Sequence, residues 1–144
     1  MGKPVIVDAS FLVALWRKND QNHPWAIQQA QLHPPPWITC ESVLSEADHP
    51  LAPEGCATLR LACRRGALQI ASLHEKAFVP VLDLLDKYAD VPMSIADACL
   101  VHLTEIFPDP LLLTTDSDFK IYRRLGKRAI PTRMPETLPA GLSS

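Results

Sequence analysis

No apolar run in this 144-residue chain approaches the roughly 18 residues that cross a bilayer. The four cysteines, Cys40, Cys56, Cys63 and Cys99, form no C-x-x-C pair, and no two of the five histidines have the spacing of a helical ligand pair. A zinc centre is therefore set aside. The cysteines read instead as small buried hydrophobes of a reduced, cytoplasmic protein. No internal repeat is present. The first residues enter a strand at once, so no signal peptide is expected. A large excess of one charge is also missing. The net charge is −2, although Lys120, Arg123, Arg124, Lys127, Arg128 and Arg133 crowd the final quarter. Such a cluster is a solvated face unless the site beside it must hold an anion.

What is present is one domain's worth of alternating strands and helices. Val5-Ile6-Val7 is short and β-branched and stops at an Asp, the pattern of a strand buried on both faces of a parallel sheet. Further strands are expected at Trp37-Ile38-Thr39, Leu68–Ala71, Leu111–Thr114 and, weakly, Ala129-Ile130. Helices are expected over 11–17, 23–32, 41–49, 55–65, 75–88, 94–106 and 119–125, with Asp48-His49-Pro50 breaking the third early. Strands separated by helices imply an α/β fold, a mainly parallel sheet of about five strands with helices on both faces. Residues 1–144 form a single domain, with 135–144 a loose or surface-packed tail.

The acids carry the chemistry. Asp8 and Asp116 each follow a strand, at the carboxyl edge where ligands of open α/β sheets sit. Asp97 lies in Ile95-Ala96-Asp97-Ala98-Cys99-Leu100-Val101, apolar nearly all round, where a carboxylate is costly unless compensated. Each acid also has a local explanation. Asp8 can cap the following helix, Ser94 and Asp97 have capping-box spacing, and so do Thr115 and Asp118. Glu46 reads by default as a surface residue. Jointly, three strand ends and one buried helix start place carboxylates near one sheet edge, with no Lys or Arg in the stretches around Asp8, Glu46 and Asp97. Clustered carboxylates raise one another's pKa. A divalent cation resolves the repulsion, and an all-oxygen donor set favours Mg²⁺ or Mn²⁺.

Val7-Asp8-Ala9-Ser10-Phe11, the Glu46 helix, Pro92-Met93-Ser94-Ile95-Ala96-Asp97-Ala98 and Leu113-Thr114-Thr115-Asp116-Ser117-Asp118-Phe119 resemble the four acidic motifs of PIN-domain ribonucleases. The closest likeness is to VapC-type toxins of bacterial toxin–antitoxin pairs. The resemblance runs from Val5 to about Ile130. It implies a PIN-like three-layer α/β/α sandwich and Mg²⁺- or Mn²⁺-dependent endonucleolytic cleavage of RNA, inhibited by a cognate antitoxin. Homodimer formation is left open. It implies Asp8, Glu46, Asp97 and Asp116 as catalytic acids, with Asp8, Asp97 and Asp116 holding metal and Asp118 as an additional or water-mediated ligand. Ser10 and Thr115 stand where such proteins place supporting hydroxyls. Lys120, Arg123 and Arg124 follow the Asp116 strand and are the candidates to hold flanking phosphates.

Glu41 competes with Glu46 for the second acid, because Val43, Leu44 and Ala47 mark a buried face that the two flank almost equally. Glu41 has the helix dipole to explain it, and Glu46 has the motif. Three other functions fit parts of the pattern. A Mg²⁺-dependent phosphatase with Asp8 as nucleophile requires an Asp two residues on, where Ser10 stands, or a Lys on a later strand. A PIN-like module could bind RNA or a partner without cutting. A DNA repair nuclease is the third, since no base-reading motif is visible.

Overall fold

The computed structural model describes residues 3–136, so most of the expected tail, 137–144, lies outside the described residues. The chain runs β1 (Val5–Val7), α1 (Ala9–Trp16), α2 (His23–Leu32), β2 (Trp37–Thr39), α3 (Glu41–Leu51), α4 (Glu54–Arg64), β3 (Leu68–Ile70), α5 (Glu75–Lys87), α6 (Ile95–Ile106) and β4 (Leu111–Leu113). A 3-10 turn, Ser117–Lys120, then leads to β5 (Arg123–Arg124), β6 (Arg128–Ala129) and β7 (Thr132–Arg133).

Five strands pair in the order β3-β2-β1-β4-β7, every pair parallel. Ile6 sits at the centre of the sheet, opposite Ile38 on one side and Leu112 on the other. All residues of β1 and β4 are buried, as their unbroken apolar runs require of strands covered on both faces. Helix α6 is apolar nearly all round and buries Ala96 through Val101. Its Leu100, with Phe11, Leu12 and Leu112, is wholly inaccessible. Truncating such a residue, Leu112→Ala for example, costs about 2–5 kcal/mol in transfer and cavity terms. The expected α/β architecture, a PIN-like sandwich around a parallel five-stranded sheet, is the one observed.

Three local expectations are corrected. The helix expected over 119–125 is a single 3-10 turn followed by a strand. Leu125 (φ 52°) and Gly126 (φ 85°) turn the chain left-handed, so Arg123–Arg124 pairs antiparallel with Arg128–Ala129. Seven residues of helical spacing do not outweigh that hairpin. The fifth strand of the main sheet is Thr132–Arg133, not Ala129-Ile130: Ile130 is buried in the core. Pro131, without an N–H, joins the ladder through its carbonyl, which accepts from Leu112 N at 2.9 Å. Finally, Pro50 does not break α3 early. It occupies the last turn, where the helix continues to the buried Leu51 and loses only the bond that residue 50 would make to the Glu46 carbonyl.

Candidate active site

Asp8 leaves β1 in extended conformation (φ −88°, ψ 160°) and caps α1, its Oδ1 accepting from Ala9 N at 2.7 Å. Its backbone N–H continues the ladder to Leu113 O, fixing it beside the end of β4. Its Oδ2 accepts from the Thr114 hydroxyl at 2.7 Å and the Ser10 hydroxyl at 3.1 Å. Each hydroxyl is itself an acceptor from the β4 exit: Thr115 N donates to Ser10 Oγ at 2.9 Å and Asp116 N to Thr114 Oγ1 at 3.0 Å. Both hydroxyls thus converge on one carboxylate oxygen and lie 3.2 Å from each other. Thr115 thus enters through its backbone, and the supporting hydroxyl on this strand is that of Thr114.

Asp8 is only 4% exposed, and burial pushes its carboxyl up to about 6 against the two hydroxyl bonds, with repulsion from Asp97 adding to the rise. Asp97, on the first turn of α6, is also buried. It closes the expected capping box: Ser94 Oγ accepts from Asp97 N at 3.0 Å, and Ser94 N donates to Asp97 Oδ2 at 3.3 Å. The same oxygen accepts from the Tyr122 hydroxyl at 3.1 Å, and that hydroxyl also lies 3.0 Å from Pro92 O. Burial raises the Asp97 carboxyl, the Ser94 and Tyr122 bonds oppose the rise, and the charges of Asp116 and Glu46 add to it. Tyr122 is wholly buried, edge-on to Phe119 and Tyr88 at 5.3 and 5.2 Å, and burial followed by the Asp97 charge pushes its phenol upward. Sequence reasoning did not single out Tyr122 or Thr114. Reading 119–125 as a helix concealed the first, and the second was passed over for its neighbour.

Asp116 caps the 3-10 turn, its Oδ1 accepting from Asp118 N at 2.9 Å, so the Thr115–Asp118 box is replaced by an Asp116 cap. Asp118 lies near enough for its charge, with that of Asp116, to act on Tyr122. Glu46 is exposed on α3 and its charge reaches Asp97. Glu41, also exposed, borders a small cavity between α3 and α6.

The local capping roles of Asp8 and Asp97 are therefore real, but capping alone does not require acids this deeply buried. The one ion pair among the described residues, Lys3–Asp109, involves none of these acids. Asp8 and Asp97 are held by neutral donors alone. Oδ1 of Asp97 and Oδ2 of Asp116 have no protein hydrogen-bond partner among the described residues. Buried, mutually repelling carboxylates with spare oxygens and no cation fit a hard divalent ion in donor chemistry. As the side chains stand, no three His, Cys, Asp or Glu among the described residues are grouped closely enough to form a ready ligand set.

Of the basic residues, Arg124 is removed from the candidate RNA contacts. It is buried, and its guanidinium donates to Thr104 O (2.6 and 3.1 Å) and Phe107 O (3.0 Å), closing the C-terminal end of α6. Arg123 is half-buried and donates to Lys120 O and Tyr122 O, while the Lys120 side chain is exposed. Two clefts lie away from the acids. One, of about 460 Å³, lies between the end of α1 and the α3–α4 junction. The other, of about 910 Å³, lies along Pro34–Pro36 and the entrance to β1.

No protein-family model matches the chain, and no curated protein matches it in sequence. In structure it is similar to VapC20 of Mycobacterium tuberculosis, a toxin that cleaves the sarcin-ricin loop. The TM-score is 0.74 at 18% identity, over 86% of this chain and 98% of that one. At that identity the likeness is one of fold.

Proposed function

We propose that this protein is a metal-dependent endoribonuclease, the toxin of a toxin–antitoxin pair. The observation that carries the reading is the gathering of Asp8, Asp97 and Asp116 at the carboxyl edge of the sheet, with Asp97 within electrostatic reach of the other two and no cation among the described residues paired to them. The fold shared with a sarcin-ricin-loop cleaving toxin adds to it.

In this reading Asp8, Asp97 and Asp116 hold Mg²⁺ or Mn²⁺, with Asp118 as a further or water-mediated ligand. The bound cation supplies Lewis acidity at a phosphodiester. The chain's own residues do the remainder. Thr114 and Ser10 orient the Asp8 carboxylate. Glu46, exposed at the rim, takes a proton at its carboxylate from the attacking water. No side-chain nucleophile is needed, and in-line attack by water leaves a 3′-hydroxyl and a 5′-phosphate. Lys120 and Arg123 hold flanking phosphates, a sequence-independent role.

A second reading rests on the capping box at Ser94 and Asp97 and on the lack of a ready ligand group among the described residues: a PIN-like module that binds RNA or protein without cutting. One experiment separates the two. Metal-stripped protein is mixed with single-stranded RNA or DNA and Mn²⁺ is added back. Metal-dependent RNA cleavage, lost in Asp97→Asn, is the expected result. RNA bound but uncut at every Mn²⁺ concentration would leave the silent module, and cleavage of DNA alone would overturn the choice of substrate. Expression of the intact chain should slow growth, and co-expression with the small open reading frame beside it should relieve the effect.

A further inference from the structure

Two of the four free cysteines take no part in the proposed chemistry yet lie together on separate elements. Cys40 follows β2 and stands at the N-cap position of α3, where no side chain caps the helix. Cys99 lies on α6, one turn into the helix. The two helices pack together, and Cys40, Ser42 and Cys99 border one small cavity, near enough for their side chains to act on one another. Both residues are 2% exposed. A cavity of about 150 Å³ is lined by both cysteines, with Ser42, Leu73 and Phe78. A site of that size admits a peroxide. The other two cysteines are not arranged in this way: the Cys56 thiol donates to Asp48 O, and Cys63 lies half-buried on α4.

We propose that Cys40 and Cys99 form a peroxide-oxidisable thiol pair that closes to a disulfide between α3 and α6. One thiol attacks the peroxide, its O–O bond breaks, and one water leaves as that sulfur becomes a sulfenic acid. The second thiol displaces the sulfenic hydroxyl as a second water, and the Sγ–Sγ bond forms. Two electrons pass from the two sulfurs to the peroxide, and a dithiol returns them. Closure ties the start of the helix carrying Glu46 to the helix carrying Asp97. The chemistry of the pair stands whether or not the acids cut RNA.

Whole protein is treated with hydrogen peroxide, unreacted thiols are alkylated under denaturing conditions, and digests are read by mass spectrometry. The expected product has lost two hydrogens (about 2 Da), carries a Cys40–Cys99 cross-link reversed by dithiothreitol, and leaves Cys56 and Cys63 alkylated. The second arm uses Cys40→Ser and Cys99→Ser, each of which removes one thiol of the pair. In the variant that keeps the attacking thiol, that thiol should then stop at sulfenic acid, trapped by dimedone, or proceed to sulfinic acid. Four alkylated cysteines after excess peroxide would overturn the proposal. So would a disulfide to Cys56 or Cys63, or an adduct on Cys40 or Cys99 that is the same in parent and variant.

Discussion

Thr114 and Asp8 are 106 residues apart in sequence, yet the Thr114 hydroxyl donates to Asp8 Oδ2 at 2.7 Å with both side chains buried. The parallel β1–β4 pair brings them together, and the same hydroxyl accepts from Asp116 N. One small side chain thus links two of the acids. Thr114→Val keeps the shape and removes these two bonds and the contact with the Ser10 hydroxyl, leaving a buried carboxylate oxygen with one donor fewer. The expected loss is about 1–3 kcal/mol in denaturant unfolding. Thr114→Ser should recover most of it. Equal loss in Val and Ser variants would show that packing rather than the hydroxyl matters.

Asp8 should make the metal-free protein more stable in mild acid. Its carboxyl titrates near 6 in the folded chain against 3.8 ordinarily, so between those values the folded state holds a proton that the unfolded state has released. Stability from this group is fully present below about pH 4 and is lost as pH rises through 6, by on the order of 3 kcal/mol at most. Asp8→Asn keeps the cap and cannot titrate. The difference in unfolding free energy between parent and variant, followed from pH 4.5 to 7.5, should move against the parent as pH rises. A flat difference would mean that Asp8 is not strained by burial.

The elements that place the acids were legible because they are short and unambiguous. The runs Val5–Val7 and Leu111–Leu113 can be buried on both faces only in a covered parallel sheet, and the acids follow from where they stop. The Ser94–Asp97 capping box was legible from spacing alone. The region after Asp116 was not. There a buried Arg124 satisfying the carbonyls of α6 and a left-handed turn at Leu125 and Gly126 decide the path; the first is a tertiary fact with no local signature, and the glycine marks a stop without showing that the chain returns as a hairpin. Tyr122 was hidden for the same reason. Its partner, Asp97, is 25 residues away.

Asp97 separates cap from site. Asn at this position can still accept from Ser94 N and meet the Tyr122 hydroxyl, while the charge opposing Asp8, Asp116 and Glu46 is gone. Without metal, Asp97→Asn should melt at or above the parent's temperature, and Asp97→Ala should melt lower by the loss of the box, about 1 kcal/mol. Both should lack nuclease activity. Active Asp97→Asn would reduce this residue to a cap.

Arg124 and Lys120 should behave oppositely. Arg124→Ala leaves the Thr104 and Phe107 carbonyls without three charge-assisted bonds and should cost about 2–5 kcal/mol. Lys120→Ala, at an exposed side chain, should stay within about 0.5 kcal/mol of the parent. It should weaken RNA binding and lower the slope of log affinity against log salt by about 0.7 for a single-stranded ligand. An unchanged salt slope would remove Lys120 from the phosphate contacts.

Glu46 and Glu41 decide the second acid. Both are exposed on α3, but the charge of Glu46 acts on Asp97, whereas Glu41 lies in the first turn beside the cavity that holds Cys40 and Cys99. Glu46→Gln should weaken Mn²⁺ binding, measured by calorimetry on the metal-stripped protein, and should cut RNA cleavage steeply. Its fold should stay intact, since an exposed helical residue rarely moves stability by more than about 0.5 kcal/mol. Glu41→Gln should leave both binding and cleavage unchanged and cost only a few tenths of a kcal/mol, through a weaker interaction with the helix dipole. Loss confined to Glu41→Gln would move the second acid to the mouth of α3 and bring the metal site against the thiol pair. Equal loss in both would mean that the edge draws on total negative charge rather than on one positioned carboxylate.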